Sequence, residues 1–164
     1  LRNFVKIEIT RLILERFGHV DAIAGVATGA IPQGALVADA LNLPFVYVRS
    51  TPKDHGLENL IEGELRPGMK VVVVEDLIST GGSSLKAVEA IRRDGCEVIG
   101  MVAAYTYGFP VAEKAFKDAK VPLVTLTNYE AVMEVALRTG YIEEEDVETL
   151  NEWRKDPAHW ESGK

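Results

Sequence analysis

A chain of 164 residues in which 18 Lys and Arg face 25 Asp and Glu has a formal net charge of −7. That length suits one domain with a single core, and that balance leaves no global basic field to hold a nucleic acid, so any anion must be bound locally. Hydrophobic residues at 47% and charged residues at 26% describe a globular chain, too apolar to stay disordered.

Apolar residues at Leu1, Phe4, Val5, Ile9, Leu12, Ile13 and Phe17 follow a helical period, and Gly18 stands where a left-handed C-cap is expected. Residues 20–26 are short, apolar and glycine-bounded, as a buried parallel strand is. After the loop Ala27-Thr28-Gly29-Ala30, a helix is predicted over 32–41 and a strand over 45–48. Val71-Val72-Val73-Val74 is the strongest strand signal. The stretch between these strands lacks clear periodicity, and loops of that length inside a domain are commonly functional flaps. Beyond it come helix 85–93 closed by Gly95, strand 98–105, helix 111–119, strand 123–126 and helices over 130–138 and 143–154. Strands alternating with helices predict an α/β fold: a mostly parallel central sheet with helices on both faces.

Other features exclude chemistry. The single Cys96 forbids an internal disulfide and fits a reducing compartment, and with only His19, His55 and His159 beside it no zinc-type cluster can be assembled. No apolar run reaches the roughly 18 residues of a membrane span, and the first residues do not resemble a signal peptide, so a cytoplasmic protein without a membrane partner is expected. The chain opens at Leu1, without Met and already inside a helical pattern, so a segment upstream is expected. Trp153 and Trp160 read as packing residues, and the acidic run Glu143–Asp146 as the first turn of the last helix.

In an open α/β sheet, ligands sit beyond the carboxyl ends of the strands. There the four valines deliver Glu75 and Asp76, followed by Leu77 and Ile78, to the Ser/Thr/Gly-rich turn Ser79-Thr80-Gly81-Gly82-Ser83-Ser84 and a helix start. Amides and hydroxyls at a helix N-terminus cradle a phosphate, and glycines allow its close approach. Carboxylates repel a phosphate but suit hydroxyls, a magnesium shell or a developing cation beside it. The blander alternative, in which the turn only caps a helix and the acids are solvated, sits poorly with two acids directly behind an apolar strand. Neither the nucleotide P-loop nor the dinucleotide glycine fingerprint is present. In the flap, Arg49, Lys53 and His55 let one loop bring several cationic donors to one polyanion, although an isolated lysine or loop histidine would read as a solvated surface group.

Glu75–Ser83 (EDLISTGGS) resembles the phosphoribosyl-pyrophosphate signature of the type I phosphoribosyltransferases. Within that family, Arg49–Gly56 (RSTPKDHG), with its K-x-H-G element, is similar to the catalytic flap of those that use orotate, and Gly25–Pro32 to their pyrophosphate loop. The resemblance implies one phosphoribosyltransferase core over residues 1–164 and transfer of a 5-phosphoribosyl group to orotate with release of pyrophosphate. It implies catalytic roles for Lys53, His55 and Asp76, with Arg49, Lys53, His55 and the Gly25–Ala30 amides on pyrophosphate. Glu75 and Asp76 would hold the ribose hydroxyls and, through water, magnesium, with no direct metal ligand. Leu77, Ile78, Ser79, Thr80, Gly81, Gly82 and Ser83 would complete the donor site around the 5-phosphate, with Ser79 also on orotate. The same resemblance implies a homodimer whose flap acts in trans. Departures from the pattern are Ser50 where some relatives have a second basic residue, Gly29 where some have lysine, and Tyr107 near an expected carboxylate-binding arginine. Nothing matches the family's N-terminal hood, so impaired orotate turnover is expected of these residues alone. The alternatives are a sister enzyme for another nucleobase and a non-catalytic regulator that senses phosphoribosyl pyrophosphate.

Overall fold

The computed structural model describes residues 1–49 and 60–160. It divides into two compact units, Leu1–Asn128 and Tyr129–Lys164. The first unit contains α1 (Arg2–Arg16), β1 (Ala22–Val26), α2 (Ile31–Leu41), β2 (Phe45–Val48), β3 (Ile61–Glu62), β4 (Lys70–Ile78), α3 (Gly82–Arg93), β5 (Glu97–Thr106), α4 (Pro110–Asp118) and β6 (Leu123–Asn128). The six strands form one sheet in the order β3-β2-β1-β4-β5-β6. All neighbours are parallel except the β2/β3 pair.

The four valines of β4 show why the sheet lies in the middle. Val71 to Val74 are fully buried, yet successive residues of a strand point to opposite faces. Val71 and Val73 pack with Ala87, Val88 and Ile91 of α3 and Phe116 of α4, whereas Val72 and Val74 pack with Ile9 and Ile13 of α1 and Val37 of α2. Each buried valine stabilises the fold by roughly 1.5–3 kcal/mol. The expected helix-covered, mostly parallel sheet is therefore present.

Differences lie at element ends. β4 does not stop at Val74 but continues through Glu75 and Asp76 to Ile78, because β5 pairs with it that far, Ile78 opposite Thr106. β3, absent from the sequence reading, is too short to show a period; it is held antiparallel to β2 through Tyr47↔Glu62 and Val48↔Ile61. α1 is left through an extended Phe17 (φ −119°), not a left-handed Gly18. Gly95 does adopt the left-handed conformation after α3 (φ 84°).

In the second unit, α5 (Tyr129–Arg138) ends before Gly140 (φ 70°), and α6 (Glu144–Lys155) leads to a 3-10 turn at Pro157–His159. Glu143 and Asp146 form a reciprocal capping box at the start of α6. Tyr129 joins the two helices: its hydroxyl donates to the Leu150 carbonyl (3.2 Å), its ring lies 6.0 Å from that of Trp153, and the Arg154 guanidinium sits 4.7 Å above it. Trp153 thus packs, whereas Trp160 is more than a third exposed. Among the described residues no helix is long and apolar enough to cross a membrane.

Candidate active site at the β1 and β4 strand ends

From β1 the sheet grows outward through β2 to β3, then resumes on the other side of β1 with β4, β5 and β6. The carboxyl ends of β1 and β4 therefore flank the topological switch point, where crossovers diverge and leave a crevice. The residues singled out from sequence converge there. In the β1 loop, the Ala27 amide donates to the Val48 carbonyl (2.8 Å) and the Ala30 amide to the Val26 carbonyl (3.1 Å), while Thr28 and Gly29 are exposed. Gly29 lies so close to β4 that a β-carbon on it would stand 1.9 Å from Asp76 Oδ2. A side chain there would have to displace the Asp76 carboxylate, so this chain brings backbone directly against it.

Glu75 and Asp76 part company. On β4, Glu75 shares the face of Val71 and Val73 and is 5% exposed. Its Oε2 accepts from the Ser84 hydroxyl at 2.7 Å and its Oε1 from the Asp76 amide at 3.1 Å. Burial pushes its carboxyl up to about 7, against the opposing effect of the Ser84 hydroxyl. Asp76 shares the face of Val72 and Val74 and is exposed. Its Oδ1 accepts from the Leu77 amide at 2.7 Å, and the carboxylate lies against the Gly29 loop. Asp76 is thus the acid presented to the crevice, and Glu75 the acid held behind it.

The turn after β4 forms the cradle. Gly81 is the N-cap of α3 with φ 82°, and a β-carbon on it would stand 2.8 Å from the Phe116 ring; both conformation and space require glycine. Among the described residues no side chain caps α3, so its first-turn amides, which have no intrahelical acceptors, are open to an anion. Thr80, Gly82 and Ser83 are exposed beside them, and Ser79 is half-buried. Leu77 is 44% exposed and Ile78 fully buried.

Arg49 follows β2, with its amide donating to the Leu60 carbonyl (2.8 Å) and its guanidinium 3.4 Å from Glu62 Oε1 on β3. Ser50, Lys53 and His55 lie outside the described residues. Tyr107 follows β5 in a short aromatic run, its ring stacked on Phe109 at 5.3 Å and edge-on to Tyr105 at 5.0 Å. Cys96 is buried, its thiol raised by burial and donating to the Arg66 carbonyl, which suits a structural residue. Sequence reasoning missed Ser84 as the partner of Glu75. The signal was present: the first turn after a strand-to-helix reversal returns alongside the strand end, and a serine there is as able to face inward as to cap.

The phosphoribosyl transferase domain model matches residues 3–138. The chain is 94% identical, over all 164 residues, to the orotate phosphoribosyltransferases of Bacteroides fragilis and Bacteroides thetaiotaomicron, and spans 77% of their length. Among solved structures, the orotate phosphoribosyltransferase of Aeropyrum pernix superimposes with a TM-score of 0.74 at 28% identity, covering 86% of this chain and 77% of that one. The fold and the site define a phosphoribosyltransferase. With these relatives, the chain belongs to the orotate phosphoribosyltransferase family.

Proposed function

We propose that this chain transfers the 5-phosphoribosyl group of phosphoribosyl pyrophosphate to orotate, giving orotidine 5′-phosphate and pyrophosphate in pyrimidine nucleotide synthesis. The observation that carries the assignment is the meeting, at one switch point, of an exposed strand-end carboxylate, an uncapped helix N-terminus and a glycine loop pressed against that carboxylate. A donor that is hydroxylated at its ribose, anionic at its 5-phosphate and loaded with pyrophosphate matches those parts in that order.

The first-turn amides of α3, with Thr80 and Ser83, take the 5-phosphate. Asp76 faces the ribose hydroxyls and the carbon that becomes cation-like as pyrophosphate leaves, with Glu75 braced behind it. The Thr28–Gly29 backbone lies where pyrophosphate departs. Arg49, Lys53 and His55 supply positive charge to that leaving group, and Ser79 contacts the base. Magnesium fits this arrangement as an ion carried by the substrate phosphates, which keeps several waters, with Asp76 at the crevice placed to meet it through water. When bound it would neutralise charge on the departing pyrophosphate.

We assign the working unit to a cytoplasmic homodimer with Lys53 and His55 acting across the interface. Mixing Lys53→Ala chains with Asp76→Ala chains should restore activity in heterodimers, and silence in verified heterodimers would refute the trans arrangement. Mass-spectrometric product analysis with orotate, uracil and a purine base tests the reaction itself. Orotidine 5′-phosphate as the single product is expected. Another nucleotide would move the chain to a sister activity, and donor binding without turnover would favour a sensing role only if it persisted in a chain extended at its amino end to the length of its relatives.

A further inference from the structure

We propose that Ser84 is a positioning residue of the donor site: through the buried Glu75 carboxylate, its hydroxyl fixes the first turn of α3 relative to Asp76, matching the site to a ligand that carries a phosphate and a sugar diol on one frame. The inference rests on the reading of the donor site given above. Ser84 is 2% exposed and Glu75 5%. A serine in the first turn of a helix ordinarily bonds to its own helix or to water; this one instead donates to the strand at 2.7 Å. The other carboxylate oxygen of Glu75 takes the Asp76 amide at 3.1 Å. The carboxylate is therefore a brace between the two parts of the site, the helix start that meets the phosphate and the strand end that meets the ribose. Stability alone does not explain the brace. Burying a carboxylate is unfavourable, and an apolar pair would pack the same space without that cost. Each half-site is local, the α3 amides on one side and the Asp76 carboxylate on the other, and keeps its groups without the Ser84 hydroxyl, whereas their separation depends on it.

Ligands that span the halves and a ligand that occupies one half thus respond differently. Calorimetric titration of the whole chain with phosphoribosyl pyrophosphate, ribose 5-phosphate and inorganic phosphate would be compared for wild type, Ser84→Ala, Ser84→Cys and Ser84→Thr, with melting temperatures recorded. Loss of a hydrogen bond to a charged group predicts about a tenfold or greater weakening of the two spanning ligands in Ser84→Ala and Ser84→Cys. Inorganic phosphate should change by less than about twofold, and Ser84→Thr, which keeps the hydroxyl, should regain affinity for the spanning ligands. Equal weakening of all three ligands, unchanged affinity for all three, or the same loss in a Ser84→Thr protein that melts like wild type would overturn the positioning role. Failure of the wild type itself to bind ribose 5-phosphate and inorganic phosphate would be a different result, removing the donor-site reading and the proposal with it.

Discussion

β1 and β4 lie side by side, and an aspartate marks each end of the pair, with opposite treatment. At the amino ends, Asp21 is closed: its amide donates to the Lys70 carbonyl (2.8 Å), its Oδ2 accepts the Lys70 amide (2.7 Å) and its Oδ1 pairs with His19 (2.8 Å). At the carboxyl ends, Asp76 is exposed against a glycine loop and beside a helix that no described side chain caps. One end of the sheet satisfies its polar groups internally and so contributes to holding two strands in register. The other leaves amides and a carboxylate for a ligand to satisfy. Binding capacity here is a matter of which polar groups the fold leaves unfinished.

The sharpest way to break that contrast is to neutralise each aspartate. Asp76→Asn should lower kcat/KM on the order of 100-fold or more, as expected for a charge facing a developing cation, with little change in melting temperature. Asp21→Asn should do the reverse, lowering the melting temperature while leaving kcat/KM close to wild type. Steady-state kinetics beside thermal melts check both, and equal effects on activity would erase the distinction between the two ends.

Next come the glycines that shape the open end. Gly29→Ala places a methyl into the Asp76 carboxylate, so the loop or the acid must move, and donor affinity should fall by roughly tenfold or more because a small misplacement is costly at a preorganised site. Gly81→Ala forces a left-handed alanine into the Phe116 ring and should destabilise the fold by about 1–3 kcal/mol, measurable by denaturant unfolding, with weaker phosphate binding. If Gly29→Ala instead left donor affinity intact, the loop would not be part of the pyrophosphate site.

Much of this site is legible in the sequence because its signals are local. Four consecutive valines announce a doubly buried strand, and Ser79-Thr80-Gly81-Gly82 announces a turn into a helix. What stays hidden depends on pairing between distant segments. Only the reach of β5 alongside β4 carries the strand through Glu75 and Asp76, and once they lie in a strand their side chains must diverge. A reading that ends the strand at Val74 treats them as an equivalent pair. β3 has two residues and no period, so neither it nor the Arg49–Glu62 contact could be anticipated. Gly18 misled for a similar reason: a glycine after a helix reads as a cap, but Phe17 itself turns extended and joins the core.

The remaining expected effects concern pH, and the two carboxylates shift in opposite senses. Asp21 is held below the usual aspartate range, first by the Lys70 amide and also by His19, so its stabilising contribution is present above its unfolded-state pKa and disappears as pH falls through the depressed folded value. Glu75, raised by burial to about 7, binds its proton more tightly folded than unfolded. Ionisation therefore adds no cost at acid pH and subtracts stability as pH rises from the ordinary glutamate range to about 7. Glu75→Gln keeps an acceptor for Ser84 and cannot ionise, so at pH 8 it should melt above wild type by an amount worth at most about 3 kcal/mol, and the gain should vanish near pH 4. Asp21→Asn should show the mirror pattern, a deficit at pH 8 that closes under acid. Melting curves of both variants between pH 4 and 8 test this, and parallel curves would mean that neither carboxylate differs between its folded and unfolded environments. A loss of donor affinity in Glu75→Gln accompanying its higher melting temperature would complete the contrast, the buried charge being kept at the open end at the expense of stability.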